Sequence, residues 1–441
     1  MAGRDPLRSA PMELPPGPRL PPILQTMQIM KDPRGFAERN RERFGEPFTV
    51  RMGGAGPAVY VTDPALIEQV FKASPDVLHA GSGNRLLAPF VGPASVLTSD
   101  GVAHRNRRKL LTPPFHGERM RAYADVVVDA TKQATANWRG EVAVLPAFEE
   151  LALDVIVRAI YGLAEDSAAA QKAAIQGAIE AMTPGVVFFS WLRTDWGAWS
   201  PWGKYLRASA HADGLLQAEV DRRRATPDPG ASDVLTMLLE TADEAGEPLS
   251  DGELRDHMVT LLAAGHLTTA VGLSWLVLEV FRRPDLVERL RAEVAAAEDV
   301  QAIARNPWIT AVVKESLRLH PPVAATLREV VKPFALGDRT LPPGTRITVA
   351  LTATQRDPAH WPDPDAFLPD RWLAGKPPPY AWLPFGGGTR RCLGEAMAMF
   401  ELKIALATLA ELPIVAPPDL PPMKRRNLSL APARGGRVRV G

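Results

Sequence analysis

The amino-acid sequence predicts one large, mainly α-helical domain with a small β part. Apolar residues recur at the helical period in six separate segments between residues 125 and 319. One short stretch, residues 47–61, instead alternates apolar positions and contains glycines, which favours a pair of strands. No flexible linker with a change of composition on either side divides the 441 residues. A single domain is therefore the simplest organisation.

The six helical segments carry their apolar residues three and four positions apart, so that one face of each helix would pack on a core. In chain order they are 125–138, 148–161, 208–224, 251–282, 286–297 and 309–319. A further helix is predicted after residue 392, with apolar residues at Leu393, Ala396, Met397, Phe400, Ile404 and Ala407. The region from residue 101 to about residue 423 is thus expected to be dominated by helices.

The segment 251–282 is the longest of these, about 45 Å at roughly 1.5 Å per residue. Ser250 followed three residues later by Glu253 is the signature of a capping box, and Pro284 marks the end of the segment. Residues 261–270 are apolar or small on most sides, and a helix that is apolar all round runs through a protein core. We therefore expect this helix to be the central element of the domain.

Composition narrows the class of protein. The formal net charge of +1 gives no overall attraction to nucleic acid or to an anionic surface. The single cysteine rules out an intramolecular disulfide. The first residues lack the apolar core of a secretory signal, and no run of 18 apolar residues predicts a membrane span. We expect a soluble, cytoplasmic monomer without a membrane anchor, in which residues 1–13 are disordered and residues 14–441 form the domain.

The single cysteine stands in the segment 384–395, PFGGGTRRCLGE. Cys392 precedes a predicted helix, where backbone N–H groups and the helix dipole favour an anionic sulfur. The three glycines let the backbone approach a partner closely, and Arg390 adds positive charge. These features suit a thiolate that binds iron. Local chemistry alone leaves a buried structural cysteine equally open, and a reactive thiol nucleophile is a third possibility.

The same segment resembles the haem-binding loop of the cytochrome P-450 family, through the pattern Phe385-x-x-Gly388-x-Arg390-x-Cys392-x-Gly394. Four more stretches resemble segments of that family in the right order, and together the resemblance extends from about residue 14 to residue 440. They are His104-x-x-x-Arg108, similar to the haem-propionate helix; Ala264-Gly265-x-x-Thr268-Thr269, similar to the oxygen-binding stretch; Glu315-x-x-Arg318; and Phe367-Leu-Pro-Asp-Arg371-Trp. A chance match at five ordered sites is negligible.

The resemblance implies the cytochrome P-450 fold, with haem b between the long central helix and the helix that follows Cys392. Cys392 would be the fifth ligand of the iron, because a thiolate ligand favours cleavage of the O–O bond. Buried carboxylates need cationic or polar donors. The residues implied to hold or border the haem are His104, Arg108, Arg328, Arg390 and Ala264.

Two threonines on the central helix are implied to serve catalysis. The Thr268 hydroxyl would donate a hydrogen bond to dioxygen and pass protons to it, with Thr269 beside it. The alternative for Thr268 is a bond to the carbonyl four residues earlier, that of Ala264. The family usually has Asp or Glu immediately before this threonine, whereas this chain has Leu267. Proton delivery would then depend on the threonines, on water or on another carboxylate.

A third group, Glu315, Arg318 and Arg371, is implied to form a buried ionic cluster behind the cysteine loop. Its role is structural, because removing one partner leaves a buried charge uncompensated, at a cost of roughly 3–5 kcal/mol.

The substrate pocket implied by the positions of the family's segments is apolar. The candidate contacts are Leu86, Leu87, Phe90, Val186, Phe188, Ala263, Val323, Ala324 and Leu428. No charged residue stands out near the iron, which favours a lipophilic molecule such as a terpenoid or the chain of a fatty acid. Four tryptophans crowd the predicted lid, either packing within it or contacting the ligand; they are Trp191, Trp196, Trp199 and Trp202.

These features imply a haem-thiolate monooxygenase that hydroxylates or epoxidises a lipophilic small molecule. No flavin or iron–sulfur domain fits in the chain, so a separate ferredoxin and ferredoxin reductase, supplied by NAD(P)H, are implied as electron donors. One alternative is a haem-thiolate isomerase, dehydratase or peroxygenase, which Leu267 favours and Thr268 opposes. Another is a haem-binding protein or sensor without turnover.

Overall fold

Helices dominate the protein. The computed structural model describes residues 13–53, 56–115, 119–162, 165–188, 190–227, 233–241 and 247–441. Residues 1–12, within the segment expected to be disordered, lie outside the described residues. In the N-terminal half the helices are α1 (Pro22–Lys31), α2 (Pro33–Phe44), α3 (Pro64–Lys72), α4 (Ala88–Val91), α5 (Gly101–Leu111), α6 (Arg119–Thr135), α7 (Val144–Ile156), α8 (Glu165–Ala181) and α9 (Pro184–Phe188). They are followed by α10 (Pro201–Ala225), α11 (Val234–Glu240), α12 (Asp251–Phe281), α13 (Pro284–Ala295), α14 (Val300–Arg305), α15 (Pro307–Leu319), α16 (Leu351–Thr354), α17 (Arg371–Ala374) and α18 (Glu395–Leu409).

All six predicted helical segments form helices, and the predicted helix after Cys392 is α18. The largest boundary error is at α10, which begins seven residues before the predicted residue 208. Ser200 caps this helix through a hydrogen bond from the Gly203 amide, and Pro201 is its first residue. The helical spacing of apolar residues cannot be recognised in the first turn of this helix. The serine and proline signals therefore mark the start better than periodicity does.

The strands make four small sheets in the described chain. They are β1 (Phe48–Met52), β2 (Gly56–Val61), β3 (Leu78–His79), β4 (Gly140–Ala143), β5 (Thr326–Val330), β6 (Phe334–Leu336), β7 (Arg339–Leu341), β8 (Arg346–Val349), β9 (Ile414–Val415), β10 (Met423–Arg426), β11 (Ser429–Pro432) and β12 (Arg437–Val440). The largest sheet has the order β1-β2-β8-β5-β3, in which β1 and β2 are the predicted strand pair. The other sheets are β4-β12-β9, β10-β11 and β6-β7.

Strands β5 to β8 interrupt the helices of residues 101–423, which nevertheless dominate that region as expected. They are three to five residues long, which is too short for a period count to separate them from a loop. Strand β8 joins the sheet by pairing parallel to β2 and antiparallel to β5. The N-terminal strand pair is thereby fixed to the chain that follows α15.

Helix α12 has the predicted capping box, with reciprocal bonds between Ser250 and Glu253. Its best 18-residue window has a mean hydropathy of 1.6, so length and composition alone would allow it to cross a membrane. However, 72% of that window is buried inside the protein. The helix packs against α7, α15 and α18, as expected of a central core element.

Gly265 lies where α12 packs closely on α7. A Cβ atom at this position would overlap the Ile156 side chain. The glycine in the stretch that resembles the oxygen-binding segment therefore faces the neighbouring helix.

The predicted ionic cluster lies between α15 and the segment 362–372. Glu315 and Arg318 have fully buried side chains, joined by Nε–Oε2 and Nη2–Oε1 hydrogen bonds of 2.9 and 2.8 Å. Arg371 Nε adds a 3.1 Å bond to Oε1, and Trp372 Nε1 adds one of 2.9 Å to Oε2. The remaining N–H groups of Arg318 donate to backbone carbonyls. This complete set of partners is what allows two charges to be buried.

Candidate active site

The loop before α18 holds Cys392 three residues ahead of the first helical residue, Glu395. The Cys392 amide donates a 2.9 Å hydrogen bond to the Phe385 carbonyl, which closes the loop on itself. Gly388 has φ +63°, and a Cβ atom there would overlap the Phe71 carbonyl oxygen. A side chain at this position would push the loop away from α3. The sequence prediction of a cysteine at the beginning of a helix is confirmed.

The Cys392 side chain is exposed, yet burial in the surrounding protein raises the pKa of its thiol above the ordinary value. A group that is both accessible and surrounded by protein lies on the wall of an internal cleft. The Gly394 amide, which donates to the sulfur, and the cations Arg108 and Arg391 act in the opposite direction on this pKa. The protein thus supplies a hydrogen-bond donor and positive charges that favour a thiolate at Cys392. The thiol nevertheless stays protonated until a cation such as a metal ion displaces its proton.

The middle of α12 also opens onto interior space. Ala263 and Ala264 are exposed although the residues on either side of this stretch are largely buried. The Thr268 hydroxyl is partly exposed and donates a 2.6 Å hydrogen bond to the Ala264 carbonyl. Thr269 is buried, with 6% of its surface exposed. Of the two predicted threonines, Thr268 is therefore the one beside the cleft.

The four predicted propionate donors come together from three parts of the chain. We call His104, Arg108, Arg328 and Arg390 the cationic cluster. Burial, together with the charges of Arg390 and Arg108, lowers the pKa of His104 to about 4. Burial and the neighbouring Arg390 lower the pKa of Arg328 to about 10, and burial lowers that of Arg390 to about 10. The cluster therefore places positive charges close together in a buried region, where desolvation and mutual repulsion disfavour them.

Asp100 is the acid that interacts with this cluster, and its oxygens are already in use. Oδ1 accepts a 2.6 Å bond from Arg390 and bonds of 2.9 and 2.8 Å from the amides of Ala80 and Gly81. Oδ2 accepts a 2.8 Å bond from the Ser82 amide. Asp100 therefore fixes a loop and cannot neutralise the cluster by itself. Sequence reasoning missed it, although an acid just before the His-x-x-x-Arg helix was a usable signal.

The cluster fits the carboxylates of a haem. Arg328, which is 7% exposed, donates only to the adjacent Leu327 carbonyl among the described residues. The Arg108 charge acts on both His104 and Cys392, so the cluster and the sulfur border the same space. A haem carrying two propionates would require three features that this site has. They are an accessible sulfur, buried cations that Asp100 alone cannot neutralise, and the exposed alanines of α12.

Three of the predicted substrate contacts, Leu87, Phe90 and Val186, lie together in the structure. Phe90 and Val186 are 3% and 0% exposed and belong to a hydrophobic cluster against which Leu87 packs. The Phe90 ring lies edge-on to Tyr205, with centroids 5.1 Å apart. The side chain of Phe188 lies outside the described residues. Phe90 and Val186 are therefore buried within this cluster and have almost no accessible surface.

The other predicted contacts are more accessible. Ala263 is exposed, and Leu86 and Leu428 are 36% and 38% exposed. Val323 is half-buried and forms an isolated bridge with Ser429. Ala324, which follows it, is 8% exposed.

The tryptophans of the predicted lid divide into two groups. Trp202 packs edge-on against Phe90, with centroids 5.9 Å apart. Trp191, Trp196 and Trp199 are 70%, 75% and 91% exposed. Packing within the lid therefore accounts for Trp202.

Comparison with known proteins gives a consistent result. The family model described as Cytochrome P450 matches residues 14–426. Cytochrome P450 135B1 of Mycobacterium tuberculosis is 34% identical over 97% of this chain and 92% of the relative. Cytochrome P450 137 of the same organism is 36% identical over 90% of this chain and 83% of the relative.

Solved structures agree with these relatives. The retinoic acid-bound cyanobacterial CYP120A1 superposes with a TM-score of 0.86 and 26% identity, covering 98% of this chain and all of that chain. The haem domain of cytochrome P450DA gives a TM-score of 0.83 at 21% identity, covering 97% of each chain, and supports the fold alone. The closed cysteine loop, the cationic cluster beside it and these matches lead to one conclusion: the chain belongs to the cytochrome P450 family of haem-thiolate monooxygenases.

Proposed function

We propose that the protein is a ferredoxin-dependent monooxygenase that binds haem b through Cys392 and oxidises a lipophilic small molecule. The observation that carries this is the cationic cluster, which borders the Cys392 sulfur and holds more positive charge than Asp100, the acid paired with Arg390, can balance. A bound haem supplies an iron at which dioxygen is reduced by two electrons. Residues 14–441 form one haem domain, and the protein works as a cytoplasmic monomer.

Each residue of the site then has a defined task. Cys392 would ligate the iron as a thiolate, and the Gly394 amide donates to its sulfur. The cationic cluster would hold the propionates of the haem. Thr268 rotates its hydroxyl away from the Ala264 carbonyl and donates a proton on the substrate side. Thr269 lies too deep to donate there directly and supports the first threonine.

The substrate is proposed to be a terpenoid or a fatty-acid-like molecule. The accessible residues of the cleft and its rim, Ala263, Leu86 and Leu428, are apolar, and three other predicted contacts lie in a hydrophobic cluster. The likeness to a cyanobacterial protein whose structure holds retinoic acid, a lipophilic ligand, supports this substrate class. Electrons come from NAD(P)H through a reductase and an acidic ferredoxin, which the exposed cations Arg105 and Lys109 would attract.

Isotopic oxygen tests the reaction class. The haem-loaded protein is supplied with a ferredoxin, a ferredoxin reductase, NADPH and ¹⁸O₂, together with lipophilic compounds that shift its Soret band. We expect one labelled oxygen atom in the product, formed only when the ferredoxin is present. Turnover with hydrogen peroxide alone would favour a peroxygenase, and an unlabelled rearranged product would favour an isomerase or dehydratase.

Leu267 should limit the coupling of electrons to product. It lies one helical turn beyond Ala263, on the same face of α12 and next to Thr268. An acid at this position would be partly desolvated, which raises its pKa and suits it to relay protons near neutral pH. We expect Leu267→Glu to increase the product formed per NADPH consumed and to decrease the hydrogen peroxide released.

Leu267→Gln is the matched control, because it has the shape and polarity of the acid without its proton. It should leave the product per NADPH unchanged. Equal improvement by both variants would mean that polarity rather than proton supply limits the cycle. No change in a haem-loaded Leu267→Glu variant would show that protons reach the site by another route.

A further inference from the structure

Arg193 occupies an unusual position in the segment that connects α9 to α10. Its Nε donates a 2.9 Å hydrogen bond to the Val186 carbonyl, and its Nη2 donates one of 2.6 Å to the Val187 carbonyl. Nη2 also lies 3.3 Å from the Leu86 carbonyl oxygen. The guanidinium stands over the Phe90 ring, 5.2 Å from its centroid. It therefore lies beside three of the predicted substrate contacts and joins Leu86 to α9.

No acid among the described residues balances the charge of Arg193. Burial is the cause that lowers its pKa. Its hydrogen-bond partners are backbone carbonyls, and its Nη1 group makes no hydrogen bond to the described residues. Asp195, two residues along the chain, uses its Oδ1 to accept a 2.9 Å bond from the Gly197 amide.

Two other partly buried arginines of this fold have carboxylate partners. Arg255 lies 3.0 Å from Asp213, and Arg223 lies 2.7 Å from Asp233. Arg193 differs from these two because its hydrogen-bond partners among the described residues are backbone carbonyls, and its Nη1 group can donate to a carboxylate.

We propose that Arg193 binds the carboxylate of a lipophilic carboxylic acid at the mouth of the pocket. The hydrocarbon part of the acid extends into the apolar cleft, where Ala263 and Ala264 leave space on α12. This inference rests on the proposed function and narrows its substrate class from neutral or acidic lipids to acids. It also replaces the expectation that no basic residue contributes to the pocket.

Matched ligands separate charge recognition from apolar burial. Palmitic acid, methyl palmitate and 1-hexadecanol share one chain, and retinoic acid, methyl retinoate and retinol share another. Each is titrated into the haem-loaded ferric protein, and the dissociation constant is taken from the shift of the Soret band. We expect at least one acid to bind roughly 10-fold more tightly than its ester and alcohol, which corresponds to about 1.4 kcal/mol.

Two variants distinguish a carboxylate site from a structural clasp between Leu86 and α9. Arg193→Gln removes the charge and should abolish the preference for the acid. Arg193→Lys keeps the charge but loses the planar fork that ties the carbonyls together, so it should retain part of the preference. If the lysine and glutamine variants lose the preference equally, the arginine is a clasp and the proposal is wrong.

Two results with the parent protein would also overturn the proposal. One is that esters and alcohols bind as tightly as the acids, and the other is that no acid of either series binds. The haem content and the ferrous–carbon monoxide spectrum of each variant are recorded beside the titrations. A normal spectrum without acid preference rejects the Arg193 site alone, whereas an abnormal spectrum in the parent protein rejects the proposed function.

Discussion

Cys392→Ser should abolish the red-shifted Soret band of the ferrous–carbon monoxide form. The band depends on a thiolate ligand, and a serine hydroxyl does not ionise near neutral pH. Cys392 is the single cysteine in the chain, so no second thiol can replace it. The measurement is the carbon monoxide difference spectrum of dithionite-reduced protein, normalised to the haem content determined after denaturation.

The neighbouring residue provides the control. Leu393→Ala shortens a half-buried side chain beside the ligand but keeps the sulfur. It should retain the red-shifted band, whereas Cys392→Ser should show a band at shorter wavelength or lose haem. If the serine variant keeps the band, Cys392 is not the ligand and the assignment of the site fails.

The same site makes haem loading sensitive to pH. Burial holds the pKa of the Cys392 thiol above its ordinary value, so the iron must displace a proton when it binds. This follows from the closed loop before α18, which surrounds the sulfur with protein yet leaves it open to the cleft.

The sequence predicted the parts of this site that are coded locally. Ser250, Glu253 and Pro284 mark the ends of α12 because capping and proline effects act within one turn. The glycines before Cys392 likewise mark a tight loop. The cationic cluster is different, because Arg328 lies on β5, far from His104 in sequence, and only the fold brings them together. The resemblance to a known family predicted that these residues come together, whereas the periodicity of the apolar residues could not.

The exposure of individual side chains was beyond the sequence. An apolar stretch such as the lid predicts burial, yet Trp199 is 91% exposed and Trp202 packs against Phe90. Arg193 was missed for a related reason. A single cation in an aromatic segment is usually solvated, and its meeting with the Leu86 carbonyl depends on how the α9–α10 segment folds back over the pocket.

A buried acid on α18 gives the second large expected effect. Glu401 is 2% exposed, and its Oε1 has no hydrogen-bond partner among the described residues. Burial raises the pKa of its carboxyl to about 8. The residue lies nearly two turns into the helix that follows the cysteine loop and takes no part in the proposed chemistry. Its ionisation is therefore a question of stability.

The direction of the effect follows from the protons bound in each state. Below the unfolded pKa, near 4.5, the acid is protonated in both states and carries no penalty. As pH rises from there to about 8 the unfolded chain loses this proton while the folded protein keeps it, so stability falls. The decline amounts to about 1.4 kcal/mol per pH unit, and it levels off above the folded pKa.

Glu401→Gln should remove this decline, because the amide resembles the protonated acid and does not ionise. The free energy of unfolding in urea is measured for the haem-loaded parent and variant between pH 5.5 and pH 9. We expect the advantage of the variant to grow by about 1.4 kcal/mol per pH unit up to about pH 8 and to be constant above it. Glu411→Gln, at an exposed acid just after the same helix, should show a small and pH-independent difference. A pH-independent difference for Glu401→Gln as well would mean that this carboxyl is ionised in the folded protein and that a partner or water stabilises its charge.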